Sequence, residues 1–504
     1  MESKKTENRK RPYERKKTIK RNTVLNALRM LLTVFVPFVT IPYTSRIFQA
    51  EGIGRLNFAS SAVELFTLVS TLSVGTYGMR EGTKVRGDRA AFSVFAQEML
   101  LLNAAATAVS YLLFFLALNY VPSFQSAHTL LTIYGWLIGS AALCMEWVCS
   151  VYEEYVYLTL RQAGVQLLSV VLLFALVHTA DDVPVWAAIV VFTSVLSHIV
   201  TFFHIRTYVS LRPADKPRLQ LKKHLAPVLM LSVAAFAGRV FSDVNTVLTG
   251  MLTSGYHTGI YSTAVKVNTI LITCFTAMTP VFLPRIVELL EEGRTQDYRL
   301  FLKKITGLIL AAGIPVVTGI EMLGSQIMIL LAGSGFQEAA VTIRILAPVI
   351  LLHACADVLY YNFLVPHGKE KRVLFCIVTT ALLNAGLGIL LIPYFAHNGA
   401  AAAGLLAEMA GLALTVFFCR REDPGIFSCL PDIRSYVAGA CGIVCWCLFC
   451  TIGIAGLYLQ TAAAVAGSMG IYALVLVIMR DPVAMEGVRM GRRALRRVFG
   501  KFFT

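Results

Sequence analysis

The residues able to do chemistry in this chain are charges set in or at the ends of long apolar runs. The cations are Arg29, Arg46, Arg55, Arg239, Lys266 and Arg344, and the carboxylates are Glu64, Glu98, Glu146, Asp243, Glu321, Asp357 and Glu408. A charge at membrane depth is costly unless it faces protein, water or a ligand, so each is a candidate for function. Arginine offers phosphate a planar fork and lysine a point charge, so cations placed in series fit a phosphate-bearing ligand. Glu64, Asp243, Asp357 and Glu408 are candidates for ion coupling or charge pairing. His353 lies one turn from Asp357, which suits either a protonation pair or a packed polar contact. No catalytic constellation, metal-ligand spacing or phosphate-binding loop of an ATPase appears, so neither an enzyme site nor a metal site is expected.

The elements that must hold these charges are membrane helices. The chain has 504 residues, 57% of them hydrophobic and 15% charged, with a mean hydropathy of +0.68. Soluble domains carry about a quarter of their residues as charges. Apolar runs of the length a bilayer demands, about 20 residues, are expected near 24–45, 53–75, 91–118, 129–151, 163–179, 186–206, 225–249, 257–284, 302–324, 340–364, 373–393, 399–419, 435–457 and 461–479. The fold class is therefore an all-α polytopic membrane protein of about fourteen spans. A net charge of +16 in a soluble chain would suggest nucleic acid. Here it follows from basic loops, and no nucleic-acid partner is expected. Most of the 11 cysteines sit in apolar runs and serve as small hydrophobes.

Basic residues alternate between loops. Arg80, Lys84, Arg86 and Arg89 follow the second run, Arg212, Lys216, Arg218, Lys222 and Lys223 the sixth, and Lys369, Lys371 and Arg372 the tenth. The intervening loops are nearly free of them. This pattern predicts both termini in the cytoplasm. It places Arg46 and Arg55 at the outer end of the first two spans, Arg29 in the inner part of the first and Glu64 near the middle of the second. Arg239 and Asp243 fall near the middle of span seven, and Lys266 in the outer half of span eight. Glu98, Glu146 and Arg344 are expected at the interface. Plainer readings stand beside the functional ones. Arg239 and Asp243 are spaced to neutralise each other on one helix face, and Arg46 and Arg55 are placed to snorkel to headgroups.

The expected organisation is a basic cytoplasmic tail (1–23), a first lobe of six spans (24–222), a second (223–420), two further spans (421–481) and a basic amphipathic tail (482–504). Both tails are expected to lie against anionic lipid. A short echo supports the halves: Gly54–Ser61 opens span two and Gly259–Lys266 opens span eight, each after a short outer turn. The first of these turns is expected at Glu51-Gly52-Ile53-Gly54. Pro37 and Pro42 should interrupt the ladder of span one and free carbonyls beside a cavity.

Several stretches together resemble bacterial polysaccharide-biosynthesis flippases, the O-antigen and capsule repeat-unit exporters. They are Asn26…Pro42-Tyr-Thr-Ser-Arg46-Ile-Phe-Gln-Ala-Glu51-Gly-Ile-Gly54 with Phe58-Ala-Ser-Ser and Tyr77-Gly-Met-Arg80-Glu, then Glu146-Trp…Arg161, Asp243…Thr249-Gly…Lys266 and Ile392-Pro-Tyr…Asn398-Gly. The resemblance implies a fold related to multidrug (MATE) exporters and the peptidoglycan lipid flippase, with two pseudo-symmetric six-helix lobes around a central cavity. It implies an undecaprenyl-diphosphate-linked oligosaccharide as substrate, moved by alternating access across the bacterial cytoplasmic (inner) membrane. By position, Arg46, Arg55, Asp243 and Lys266 match the family's pattern; Arg239 and Arg29 are added on chemistry alone. No cofactor is expected beyond a coupling ion, H+ or Na+. Expected partners are the lipid-linked substrate, anionic lipids, and the polymerase and glycosyltransferases of the same route. The alternatives are a MATE-type cation-coupled exporter, a peptidoglycan-precursor flippase, and a membrane glycosyltransferase, which short outer loops argue against.

Overall fold

The computed structural model describes residues 12–210, 220–425, 430–453 and 456–489, and within these the side chains from Val36 onward except at 234, 237, 240–242 and 280. The expected tail segment 1–11, the linker residues 211–219, the tail residues 490–504 and the side chain of Arg29 lie outside the described residues. Every described element is helical: α1 (Pro12–Thr71), α2 (Val74–Val85), α3 (Arg89–Tyr120), α4 (Pro122–Ser126), α5 (His128–Ala141), α6 (Glu146–Val151), α7 (Tyr155–Leu176), α8 (Val183–His204), α9 (Leu221–Leu252), α10 (Gly255–Thr276), α11 (Thr279–Glu291), α12 (Thr295–Ala332), α13 (Ala339–Leu359), α14 (Glu370–Glu422), α15 (Arg434–Gly453) and α16 (Leu457–Ile478), with short 3₁₀ and π turns between. Among the described residues each expected apolar run lies mostly on helix.

Among the described residues, ten helical stretches are long and apolar enough to cross a membrane. Two of them, 36–85 and 370–422, each take in two expected runs. The run at 129–151 breaks between α5 and α6. Fourteen crossings therefore remain an expectation. Within the stretch expected as the basic tail, α1 is already helical at Pro12. Nothing between Tyr13 and Phe35 breaks a helix, so the first span simply extends back through the charges.

By contacts the chain forms two compact units, Met1–Met251 and Leu252–Thr504. By this division α9 lies with the first unit, where a Cβ on Gly250 would lie 2.3 Å from the Phe58 ring.

In the first unit α1 is a hairpin. Gln49 has non-helical backbone angles (φ 54, ψ −174). Before the break, Tyr43 donates to the Val177 carbonyl at 2.8 Å, beside the C-terminal end of α7. After it, Phe58 meets Phe124, Phe66 meets Phe114, and Ser70 bonds Thr107 at 2.6 Å, an antiparallel descent along α3. Ser70 also reaches the Ile138 carbonyl of α5, Ser140 bonds His198 of α8, and Arg161 of α7 reaches the Ser197 carbonyl. The N-terminal ends of α3 and α7 are thus on one level, their C-terminal ends on the other, and Gln49 turns the chain at the latter.

The second unit repeats the device. Ala396 (φ 48, ψ −128) divides α14. Gly399 packs so closely that a Cβ would be 2.4 Å from the Leu391 carbonyl oxygen, and one on Gly411 would be 2.2 Å from Thr380 Oγ1. Glu422 closes the far end on Lys369 at 3.0 Å and on Arg372. The second limb lies parallel to α13, through Thr342–Asn398, His353–Glu408 and Tyr360–Thr415 contacts. Helices α15 and α16 pair antiparallel, with Trp446 donating to the Ala463 carbonyl at 3.0 Å, and their core joins Leu323 of α12.

Candidate functional site

The first unit gathers three of the expected site residues. Arg239 of α9 places Nη2 3.0 Å from Glu64 of α1 and Nη1 3.7 Å from Asp243 one turn along its own helix. The pairing within α9 anticipated from the spacing is present, and Glu64 adds a second carboxylate from another element. Arg239 is about half exposed (52%), Glu64 34% and Asp243 19%. One guanidinium therefore serves two carboxylates on a surface not filled by protein. Isolated, these atoms carry one net negative charge, which changes how the arginine can meet an anion.

Arg46 and Arg55 flank the α1 turn and both are exposed. Arg46 Nη1 donates to the Pro42 carbonyl at 2.7 Å, and Gln49 Nε2 donates to the Arg46 carbonyl at 2.6 Å. The turn itself is at Gln49, not at Glu51–Gly54 as the glycines suggested. Gly52 sits inside the second limb instead. A Cβ there would lie 2.9 Å from Phe48 Cβ and 3.1 Å from Val183, so the glycine is needed for close approach and not for an unusual φ.

In the second unit Lys266 is exposed on α10. Glu408, on the second limb of α14, is 5% exposed and accepts or shares a proton with His353 Nδ1 at 2.7 Å. His353 thus pairs with Glu408 from another helix, and Asp357 lies one turn away on its own, half-buried. The three form an acidic–imidazole group on α13 and α14. Directly after it, the chain takes a π turn over Tyr360–Leu364, a local widening often found beside functional groups.

Two buried polar groups in the first unit escaped the reading by spacing. Glu98, expected at the interface, is 5% exposed. It accepts from the Gln220 N–H at 2.6 Å and meets His224 Nε2 at 3.0 Å, while His224 Nδ1 meets the Tyr77 hydroxyl at 2.8 Å. This ties the start of α9 to α2 and α3. Glu146, also expected at the interface, pairs with Arg161 at 3.2 Å, and the Arg161 side chain is only 5% exposed. Arg161 further contacts Thr201 of α8. Partners drawn from loops and from helices far apart in sequence leave no periodic signal, although the run Glu146…Arg161 did mark the segment. Beyond α8, the Tyr208 hydroxyl donates to Glu154; burial and that carboxylate push the phenol up to about 12.

Among the described residues no group of three or more His, Cys, Asp or Glu side chains is arranged to hold a metal ion.

Comparison with known proteins locates this architecture. Residues 19–290 match the family described as "Polysaccharide biosynthesis protein". An Escherichia coli (strain K12) protein described as an O-antigen transporter is 21% identical over 417 residues, 81% of this chain and 98% of that protein. Among solved structures, the lipid II flippase MurJ in an inward closed conformation superposes with a TM-score of 0.65 at 14% identity, covering 92% of this chain and 99% of that one. An inward-facing multidrug resistance MATE family transporter of the MOP superfamily gives 0.57 at 12% identity, over 78% and 99%. With more than half of the chain inside the family match, the protein belongs to the polysaccharide biosynthesis protein family, and it is a multi-pass membrane transporter with the fold shared by MurJ and the MATE proteins.

Proposed function

We propose that this transporter is a flippase for undecaprenyl-diphosphate-linked oligosaccharide, carrying polysaccharide repeat units across the bacterial cytoplasmic membrane by alternating access. The observation that carries the reading is the alignment to the O-antigen transporter over nearly that protein's whole length. Both termini face the cytoplasm, as the alternation of basic loops requires. Arg46, Arg55, Arg239 and Lys266, with Arg29 at the inner end, are the cations that meet the diphosphate. Translocation is driven by the membrane potential or by an H+ or Na+ gradient, since one charge moved across 100 mV is worth about 2.3 kcal/mol. The His353–Glu408 pair with Asp357 is the group suited to take the ion. The polymerase and glycosyltransferases of the same route are partners in sequence.

A second reading, a MATE-type exporter of organic cations, is favoured by one observation: carboxylates outnumber the arginine in the Arg239 cluster. Reconstitution separates the two. Purified protein is placed in vesicles with lipid-diphosphate sugars, and leaflet accessibility is followed with and without an ion gradient. Movement of the lipid supports the flippase. Cation exchange with no lipid movement replaces it by the exporter.

A further inference from the structure

We propose that Arg239 is held in reserve by Glu64 and Asp243, and that the diphosphate displaces these carboxylates from it, so that substrate binding draws one proton into the cluster. This rests on the flippase reading and deepens it.

The argument starts from the count of charges. Arg239 donates from Nη2 to Glu64 at 3.0 Å and lies 3.7 Å from Asp243 through Nη1. Both of its terminal nitrogens are therefore engaged by carboxylates. A guanidinium has a fixed fork of donors, and bidentate capture of phosphate needs the same two nitrogens. An incoming diphosphate and the two carboxylates thus compete for one group. If the diphosphate wins while both carboxylates stay ionised, two anions are left against a third in a partly dehydrated site, where like charges repel strongly. Protonation of one carboxylate removes that repulsion. The balance is simple. Before binding the cluster holds one positive and two negative charges. After binding, the diphosphate takes the Arg239 donors, one proton enters from the aqueous phase onto Glu64 or Asp243, and one carboxylate remains ionised. When the diphosphate leaves, the proton leaves and the ion pairs re-form.

Glu64 is the better acceptor of that proton. It comes from α1, a different helix from Arg239, so its pairing depends on the packing of α9 on α1. Asp243 is fixed on the same helix, one turn from the arginine, and its longer contact changes less when the fork turns away. Among the described residues, the titratable groups on the neighbouring helices are buried or have partners of their own. On α3, Glu98 is engaged by His224 and the Gln220 N–H, and Tyr111 donates to the Gly135 carbonyl. On α5, Tyr134 is fully buried. On α7, Arg161 is engaged by Glu146. On α1 itself the nearest charge is Arg55, more than two turns before Glu64.

The probe is a short-chain polyprenyl-diphospho-N-acetylglucosamine. Its diphosphate is a diester, so the ligand itself takes up no proton near neutrality. Binding to the purified full-length protein is measured by calorimetry between about pH 6 and pH 8 in buffers of different ionisation enthalpy, which reads the protons taken up per ligand. The expected result is uptake of about one proton, with affinity falling by up to about tenfold per pH unit as pH rises. Glu64→Gln should bind more tightly than wild type at the upper pH and take up fewer protons, and the Glu64→Gln/Asp243→Asn double variant should take up none. Arg239→Gln should lose about tenfold or more in affinity. Equal proton uptake in the double variant and wild type overturns the proposal. So does binding that loses nothing in Arg239→Gln, which leaves the flippase reading standing. Wild type that binds no lipid diphosphate at any pH overturns both.

Discussion

The Glu146–Arg161 pair offers an asymmetric test of how this protein holds charge in its interior. The two atoms are 3.2 Å apart, but the Arg161 side chain is 5% exposed and that of Glu146 32%. Removing the carboxylate strands a guanidinium where little water reaches it. Such uncompensated buried charges cost about 3–5 kcal/mol. Arg161 keeps its contacts to Thr201 and the Ser197 carbonyl, which holds Glu146→Gln near the lower limit, about 3 kcal/mol. Removing the arginine instead leaves a carboxylate that water can reach. Thr201 stays satisfied, since it donates to the Ser197 carbonyl at 2.8 Å. Arg161→Met should therefore cost only about 1 kcal/mol, the worth of an ordinary hydrogen bond. The double variant should match Arg161→Met, because the stranded charge is gone. For a unit of this size about 3 kcal/mol corresponds to roughly 6–12 °C in melting temperature, and 1 kcal/mol to roughly 2–4 °C. A thermal melt of detergent-purified protein reads all three variants on one scale. If Arg161→Met melts as low as Glu146→Gln, or the double variant melts lowest, the exposure argument is wrong.

Three further outcomes follow from the geometry. Ala396→Gly should raise the melting temperature: a non-glycine residue at φ 48 stores about 1–3 kcal/mol, of which glycine's greater chain entropy returns roughly 0.5–1; a lower melting temperature would contradict the strain. Gly411→Ala should cost about 1–3 kcal/mol through overpacking, since the new methyl would stand 2.2 Å from Thr380 Oγ1; an unchanged melt would show that Thr380 turns aside freely. Glu408→Gln should leave expression intact and make reconstituted transport indifferent to the ion gradient, as should His353→Ala, and full gradient dependence in both would remove this pair from the coupling.

Much of the fold was legible because membrane helices announce themselves locally. An apolar run of sufficient length has few other fates, so Gly255–Thr276 or Arg434–Gly453 follow from composition. Ends and turns were harder. Gly52 and Gly54 looked like turn residues, yet the chain reverses at Gln49; the second reversal, at Ala396, lies within the gap expected between the runs 373–393 and 399–419. In each case glycine follows the break by three residues and admits a close neighbour, Phe48 in one and the Leu391 carbonyl in the other. A glycine kept for packing and one kept for φ look alike in a sequence. The charges divided in a similar way. Arg239–Asp243 was readable because the partners share a helix. Glu64, Glu146–Arg161, Glu98–His224 and His353–Glu408 depend on which helices meet, and no local spacing encodes that.

The pairings alter what the intramembrane cations mean. Read singly, a run of arginines and a lysine along the first spans of each half looks like a positively charged track for an anion. In the structure Arg239 is already bound by two carboxylates and Arg46 by the carbonyl of Pro42. A permanently open positive track would hold a diphosphate well at every level, and a carrier that binds its substrate equally well throughout gains nothing from moving it. Internal carboxylates solve this problem. In the proposed mechanism Glu64 and Asp243 would lower the affinity of Arg239 to a value that a change in packing or protonation can reverse, so that one conformation would present it to the ligand and the other return it to Glu64. Differential affinity between states, not charge alone, is what lets a ligand shift a conformational equilibrium. The acidic residues that seem to argue against an anionic substrate are thus the part of the site that would let the substrate go.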